Sequence, residues 1–137
     1  MKAILVTGSR EFSDADMIWS ALEEEIGINP VVVIHGACPT GADHLADRFV
    51  KVVTTTPVPW HWVTTLAFPA DWLTHGKAAG PLRNQQMVDH ITTNHKLDDI
   101  TVLAFFKTGA GNRGTRNCVA AALAAGIPDQ QVKRFWA

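Results

Sequence analysis

Three short runs, Ala3-Ile4-Leu5-Val6-Thr7, Val31-Val32-Val33-Ile34-His35 and Thr101-Val102-Leu103-Ala104-Phe105-Phe106, are apolar at nearly every position. A strand turns successive side chains to opposite faces, so a run that is apolar throughout needs cover on both sides. That requirement disfavours a sheet with one wet face and predicts a parallel sheet sandwiched between helices. The intervening segments supply those helices. Ala15, Ile18, Trp19, Leu22 and Ile26 share one helical face, with Ser13 as N-cap, Asp16 three residues on, and Gly27 and Pro30 as stop signals. Ala42, Leu45, Ala46, Phe49, Val50 and Val53 form a second stripe, opened by Thr40 and Asp43.

Val58 to Val63 alternates, and its Pro59 and bulky aromatics predict a strand at the edge of the sheet. A connection from Leu66 to Gly80 follows, and a loop of that length in a compact domain suggests function. Pro81 then fits the first turn of a helix carrying Leu82, Arg83, Asn84, Met87, Val88 and Ile91. Beyond the Thr101 strand, Gly109 to Thr115 leads into an alanine-rich helix that stops at Gly126 and Pro128, and Val132 to Trp136 supplies a last strand. This alternation predicts an α/β fold: one Rossmann-like, doubly wound parallel sheet of about five strands, in order 3-2-1-4-5, with right-handed crossovers and helices on both faces. A length of 137 residues suits one domain, spanning 1–137.

The formal net charge is −1 and 18% of residues are charged, so no global positive field attracts nucleic acid or an anionic membrane, and neither is an expected partner. The apolar start breaks at Gly8-Ser9-Arg10, too early for a signal peptide or a membrane span, and a cytoplasmic location is expected. Cys38 and Cys118 lie 80 positions apart in no metal-binding spacing, as two small buried side chains in a reducing compartment would. His35, His44, His61, His75, His90 and His95 include no HExxH pairing, so neither a metal nor another cofactor is expected.

In such a sheet ligands bind beyond the carboxyl ends of the strands, above all where the strand order reverses. The glycine-rich turns fall there: Gly8-Ser9-Arg10, Gly36-Ala37-Cys38-Pro39-Thr40-Gly41-Ala42-Asp43, and Gly109 to Thr115. Glycine lets a backbone N–H reach an oxyanion, and the following helix adds unpaired N–H groups and a positive dipole end, an arrangement suited to phosphate. Tight strand-to-helix turns need glycine for their own sake, but three at one edge favour a ligand. No GxGxxG and no GxxxxGK[ST] occurs, which sets aside nicotinamide enzymes and P-loop NTPases. Asn112, Arg113, Gly114, Thr115 and Arg116 join flexible backbone, a hydroxyl and two guanidinium groups at one helix start. Cations there oppose the helix dipole, and a bound anion would relieve them.

Several of these residues carry a resemblance: Gly8-Ser9-Arg10, Gly36-Ala37 with Gly41-Ala42-Asp43, Ala70-Asp71-Trp72 with His75-Gly76-Lys77, Arg83-Asn84 with Met87, and Gly114-Thr115. Together they resemble the YspA-like branch of the SLOG superfamily, over nearly the whole chain and in order. That superfamily includes the Lonely Guy phosphoribohydrolases, which cleave the N-glycosidic bond of nucleoside monophosphates, and sensor domains for ADP-ribose-type nucleotides and their cyclic forms. The resemblance implies a small-molecule nucleotide ligand and a homo-oligomer with pockets near the subunit contact. It aligns Arg83 with the arginine of the Lonely Guy Arg-Lys motif, and Gly114-Thr115 with the Gly-Thr of the PGGxGTxxE motif. Where that motif continues with acidic residues, this chain has Arg116, Asn117, Cys118 and Val119. Ribosyl hydrolysis needs a carboxylate to stabilise an oxocarbenium-like state or to activate water, and asparagine does neither.

Two functions are therefore expected in order of preference. The first is capture of a phosphorylated, nucleotide-derived ligand by a sensor or sequestering protein, the short chain leaning towards a sink or a subunit of a larger assembly. The second is nucleotide N-glycosidic hydrolysis, with Arg83 orienting the phosphoribosyl group and Asp71 or Asp43 replacing the missing acid. His75 is expected to meet phosphate or ribose, and Trp72 to stack on a base. Trp60 and Trp62 suggest a self-association surface, and Glu23-Glu24-Glu25 a solvated helix face.

Overall fold

A computed structural model describes residues 1–137. Five strands, β1 (Lys2–Gly8), β2 (Val31–His35), β3 (Val63–Ala67), β4 (Ile100–Phe106) and β5 (Val132–Trp136), form one parallel sheet in the order β3-β2-β1-β4-β5. The apolar runs occupy its centre, as double-sided cover demands. β1 turns Ile4 and Val6 to one face, beneath the helices α1 (Ala15–Glu25) and α2 (Gly41–Thr55), and Ala3 and Leu5 to the other. That second face lies under Met87, Val88 and Ile91 of α4 (Ala79–Asn94) and Cys118, Val119 and Ala122 of α5 (Arg113–Ala124). A short helix, α3 (Trp72–His75), precedes α4. No helix is long and apolar enough to cross a membrane.

Several local expectations change. The edge strand begins at Val63 rather than ending there. Pro59 lacks the N–H a ladder needs, and the aromatics are used differently: Trp60 and Trp62 stack on each other, Trp60 meets Phe49 edge-on, and Trp62 Nε1 donates to Gly27 O at 2.8 Å. Their packing within the chain closes the end of the first core. Thr64 and Thr65, both exposed, carry the strand instead, which suits a short strand at the edge of the sheet. At α1 the cap is Asp14, whose Oδ1 accepts from Met17 N at 3.0 Å, one residue later than Ser13. Thr40 occupies the start of α2 without capping it. The Leu66–Gly80 connection is largely structured, since β3 runs to Ala67 and α4 starts at Ala79 with Pro81 in its first turn.

Of the three glutamates, Glu25 turns inward. Its carboxylate accepts from Lys2 Nζ at 2.9 Å and from Lys133 Nζ, and Thr101 Oγ1 lies 3.4 Å away. Burial pushes this carboxyl up, but the hydrogen bonds and charges of Lys133 and Lys2 outweigh it and hold the group below its ordinary range. These residues belong to the amino ends of β1, β4 and β5.

Candidate functional site

At the opposite, carboxyl end of the sheet lies a cleft of about 970 Å³. Its walls come from the β1–α1 turn (Gly8 to Glu11), the β2–α2 turn (Gly36 to Thr40), Trp72 and Lys77, the start of α4, and the β4–α5 turn. β1 and β4 diverge here into helices on opposite faces, the place where a reversal of strand order opens a crevice.

The β2–α2 turn is built from beneath. His35 is the one side chain with a titratable group in an otherwise apolar strand, and it is buried. Its Nδ1 accepts from Ala37 N at 3.0 Å, which places the ring proton on Nε2, facing Asp47 Oδ1 at 3.1 Å. The bond holds Ala37 in the left-handed region at φ 57°. Asp43, from the first turn of α2, accepts from Cys38 N at 3.3 Å. Burial pushes the Asp43 carboxyl above its ordinary range, against the pull of the Cys38 N–H and Arg83. Gly41 is required here: its φ is +76°, and a Cβ would stand 2.6 Å from Arg10 Cα.

A chain of hydrogen bonds then crosses the floor of the cleft. Arg83 Nη1 donates to Gly36 O, and Arg83 Nε donates to Asn84 Oδ1 at 2.9 Å. A Cβ on Gly36 would lie 2.6 Å from Arg83 Cζ, so a side chain here would push the guanidinium from its present place against this turn. Asn84 Nδ2 donates to Asn117 Oδ1 at 3.0 Å and to Gly114 O at 3.2 Å. Asn84 is 3% exposed, and its amide is used up in tying α4 to the first turn of α5. Arg83 is held through Nε and Nη1, and its Nη2 makes no hydrogen bond within the protein.

The α5 terminus is prepared differently. Asn112 is left-handed at φ 54°, and its side chain accepts from Lys107 N at 2.9 Å and donates to Lys107 O and Ala110 O, each at 3.0 Å. It shapes the turn and does not cap the helix. The first-turn N–H groups of α5 therefore have no side-chain partner and border the cleft at Arg113, Gly114 and Thr115. Nothing lies within 4 Å of where a Gly114 Cβ would stand, so that helix end faces open space.

Four cations line the cleft, Arg10, Lys77, Arg83 and Arg113, and none has a carboxylate within 4.0 Å. The lining carboxyl groups are Asp43 and Glu11. Of the sequence candidates, Gly8, Ser9, Arg10, Gly36, Asp43, Trp72, Lys77, Arg83, Asn84, Met87, Asn112, Arg113, Gly114 and Thr115 meet around this space. Gly41 and Ala42 support it from behind, with Ala42 N donating to Ser9 O at 3.2 Å. Asp71 and His75 stand outside. Asp71 is exposed and caps α3 by accepting from Thr74 N at 3.1 Å, and the Thr74 hydroxyl together with that backbone N–H holds its carboxyl below the ordinary range. Cys118 is buried beneath the site and its thiol is pushed by burial up to about 11, so it is a neutral thiol at physiological pH.

Sequence reasoning missed Glu11, the His35–Asp47 pair and the bridging part of Asn117. A histidine inside an apolar strand was the available signal for the pair. No group of three or more His, Cys, Asp or Glu side chains gathers as a metal site would require.

Among solved structures none matches the chain. The Gene 61 protein of Mycobacterium phage D29 is 37% identical over 138 aligned positions, covering 93% of this chain and 94% of that protein. The model of the YspA, cpYpsA-related SLOG family matches residues 2–75, which include β1, β2, β3 and the turns that build the first half of the cleft. That match spans more than half of the chain, and with the fold in agreement this chain belongs to the YspA, cpYpsA-related SLOG family.

Proposed function

We propose that the cleft binds a phosphorylated, nucleotide-derived ligand of the ADP-ribose or cyclic ADP-ribose type and holds it intact, so that the protein acts as a sensor or a sequestering agent. The observation that carries this is the set of four cations without carboxylate partners around an uncapped helix N-terminus, in a chain whose net charge is −1. Unpaired guanidinium groups beside free N–H donors match phosphate oxygens in charge and geometry. The volume lies at the upper end of the range for ligand pockets, which suits a molecule larger than a monophosphate.

Retention is favoured over cleavage by the carboxyl groups. Asp71 is turned away, Asp43 is buried in holding the β2–α2 turn, Cys118 occupies the region where Lonely Guy enzymes carry acids, and the other lining carboxyl, Glu11, sits exposed on the β1–α1 turn rather than in that region. The test is to incubate the purified protein with nucleoside monophosphates, ADP-ribose and cyclic ADP-ribose isomers, release bound material by heat, and chromatograph it. Stoichiometric recovery of an unaltered ligand is expected. Free base in molar excess over protein would replace capture with hydrolysis.

A further inference from the structure

At the cleft mouth Arg10 and Trp72 touch. The Arg10 Cζ lies 5.0 Å from the centroid of the Trp72 ring, and both residues line the cleft. The backbone beside Arg10 is fixed: Ser9 N donates to Phe105 O, Ser9 O accepts from Phe12 N and Ala42 N, and Glu11 N donates to Ser9 Oγ. The side chain is not, since it has no hydrogen bond and no carboxylate within 4.0 Å. Trp72 stands on α3, with its Cη2 edge 3.3 Å from where a Gly80 Cβ would be, and it is 47% exposed. One face of a half-exposed indole is thus covered by a cation that has nothing else to hold.

We propose that Trp72 is the platform for the base of the bound nucleotide and that Arg10 is its exchangeable cover, leaving the ring for a phosphate as the ligand enters. The inference rests on the nucleotide-binding reading of the cleft. A guanidinium on an exposed ring contributes roughly two- to fivefold to an equilibrium constant. A base stacked on an aromatic ring contributes roughly tenfold or more. The base therefore outcompetes the cover, and the displaced cation gains an anionic partner that the free protein does not provide. Trp72 and Arg10 would together favour ligands that carry both a base and a phosphate over ligands that carry one of the two.

The experiment is calorimetric titration of the full chain with adenosine 5′-monophosphate and with ribose 5-phosphate, which lacks the base. The proteins compared are the wild type, Trp72→Ala, Trp72→Phe and Arg10→Gln. Trp72→Ala is expected to weaken the monophosphate about two- to tenfold, the lost stacking being partly offset by the cover that no longer has to be displaced, while leaving ribose 5-phosphate unchanged or up to about fivefold tighter, because Arg10 is no longer engaged on the ring. Trp72→Phe should restore most of the monophosphate affinity. Arg10→Gln should weaken ribose 5-phosphate more than the monophosphate, since the base no longer has a cover to displace. If Trp72→Ala weakens both ligands equally, or neither, the exchange is wrong while the nucleotide site stands. If the wild type binds neither compound nor ADP-ribose, the exchange and the nucleotide reading fall together.

Discussion

The two ends of the sheet treat charge in opposite ways. At the amino end Glu25 is enclosed by Lys2 and Lys133, with Thr101 beside it, and its charge is matched inside the protein. At the carboxyl end Arg10, Lys77, Arg83 and Arg113 surround open space with no carboxylate within reach, and the buried acid beneath them, Asp43, is pushed towards its neutral form. Strand ends of both kinds present unpaired backbone groups, so backbone geometry alone does not separate them. The difference lies in whether side-chain charges are satisfied: the amino end matches its charge within the protein, and the carboxyl end leaves its cations open to the proposed ligand.

This contrast can be broken by substitution. The largest effect is expected at Arg83. On the proposed reading, Arg83→Ala should remove charge-assisted bonds to a phosphate, about 2–3 kcal/mol or on the order of 100-fold in affinity, while the free protein should lose about 3–5 °C in melting temperature through the bond to Gly36 O. Calorimetry and a thermal melt without ligand check both. Gly114→Val comes next. The residue is helical with nothing around its Cβ position, so stability should change by less than about 0.5 kcal/mol, while bulk at the α5 terminus lowers affinity by at least about tenfold. An unaltered affinity would move the phosphate away from α5.

At the amino end the pattern should reverse. Glu25→Gln should cost about 1–2 kcal/mol of stability, less than a fully buried pair because both lysines remain partly solvated, with ligand affinity untouched. Because the folded-state carboxyl titrates below its ordinary 4.5, its contribution is complete above that pH and fades as pH falls through the lowered value. The gap between wild type and variant should therefore shrink in acid, and a gap that widens would contradict the pairing. The smallest effect belongs to Asp71→Ala. An exposed cap outside the cleft should leave affinity within about twofold, and a larger loss would bring that carboxylate into the site.

Much of this arrangement is legible from sequence because strong local constraints coincide. Double-sided apolar runs have few alternatives to a central parallel strand, and β1, β2 and β4 lie where those runs are. The β3 edge was harder. At the exposed edge of the sheet, Thr64 and Thr65 satisfy the strand as well as apolar residues would, whereas the aromatic alternation of Trp60 and Trp62 belongs to core closure. Within the site, turns were readable from glycine but roles were not. Asn84 and Asn112 look like ligand contacts in the sequence, yet their amides are consumed in holding α5 and its preceding turn. Only the partners of a polar side chain reveal this, and those partners lie up to 33 positions away.

The position of β1 at the centre of the sheet also governs how the chain comes together. Ala3 pairs with Val32 on one side, but on the other it waits for Ile100, 97 positions later. A ribosome that has released only the first half of the chain exposes an apolar strand with one unfilled ladder, and Glu25 remains without Lys133 until the last strand appears. Contacts so distant in sequence slow folding and prolong the interval in which that edge can pair with another chain. The cleft, whose floor needs α4 and α5 together, is thus among the last parts of the molecule to exist.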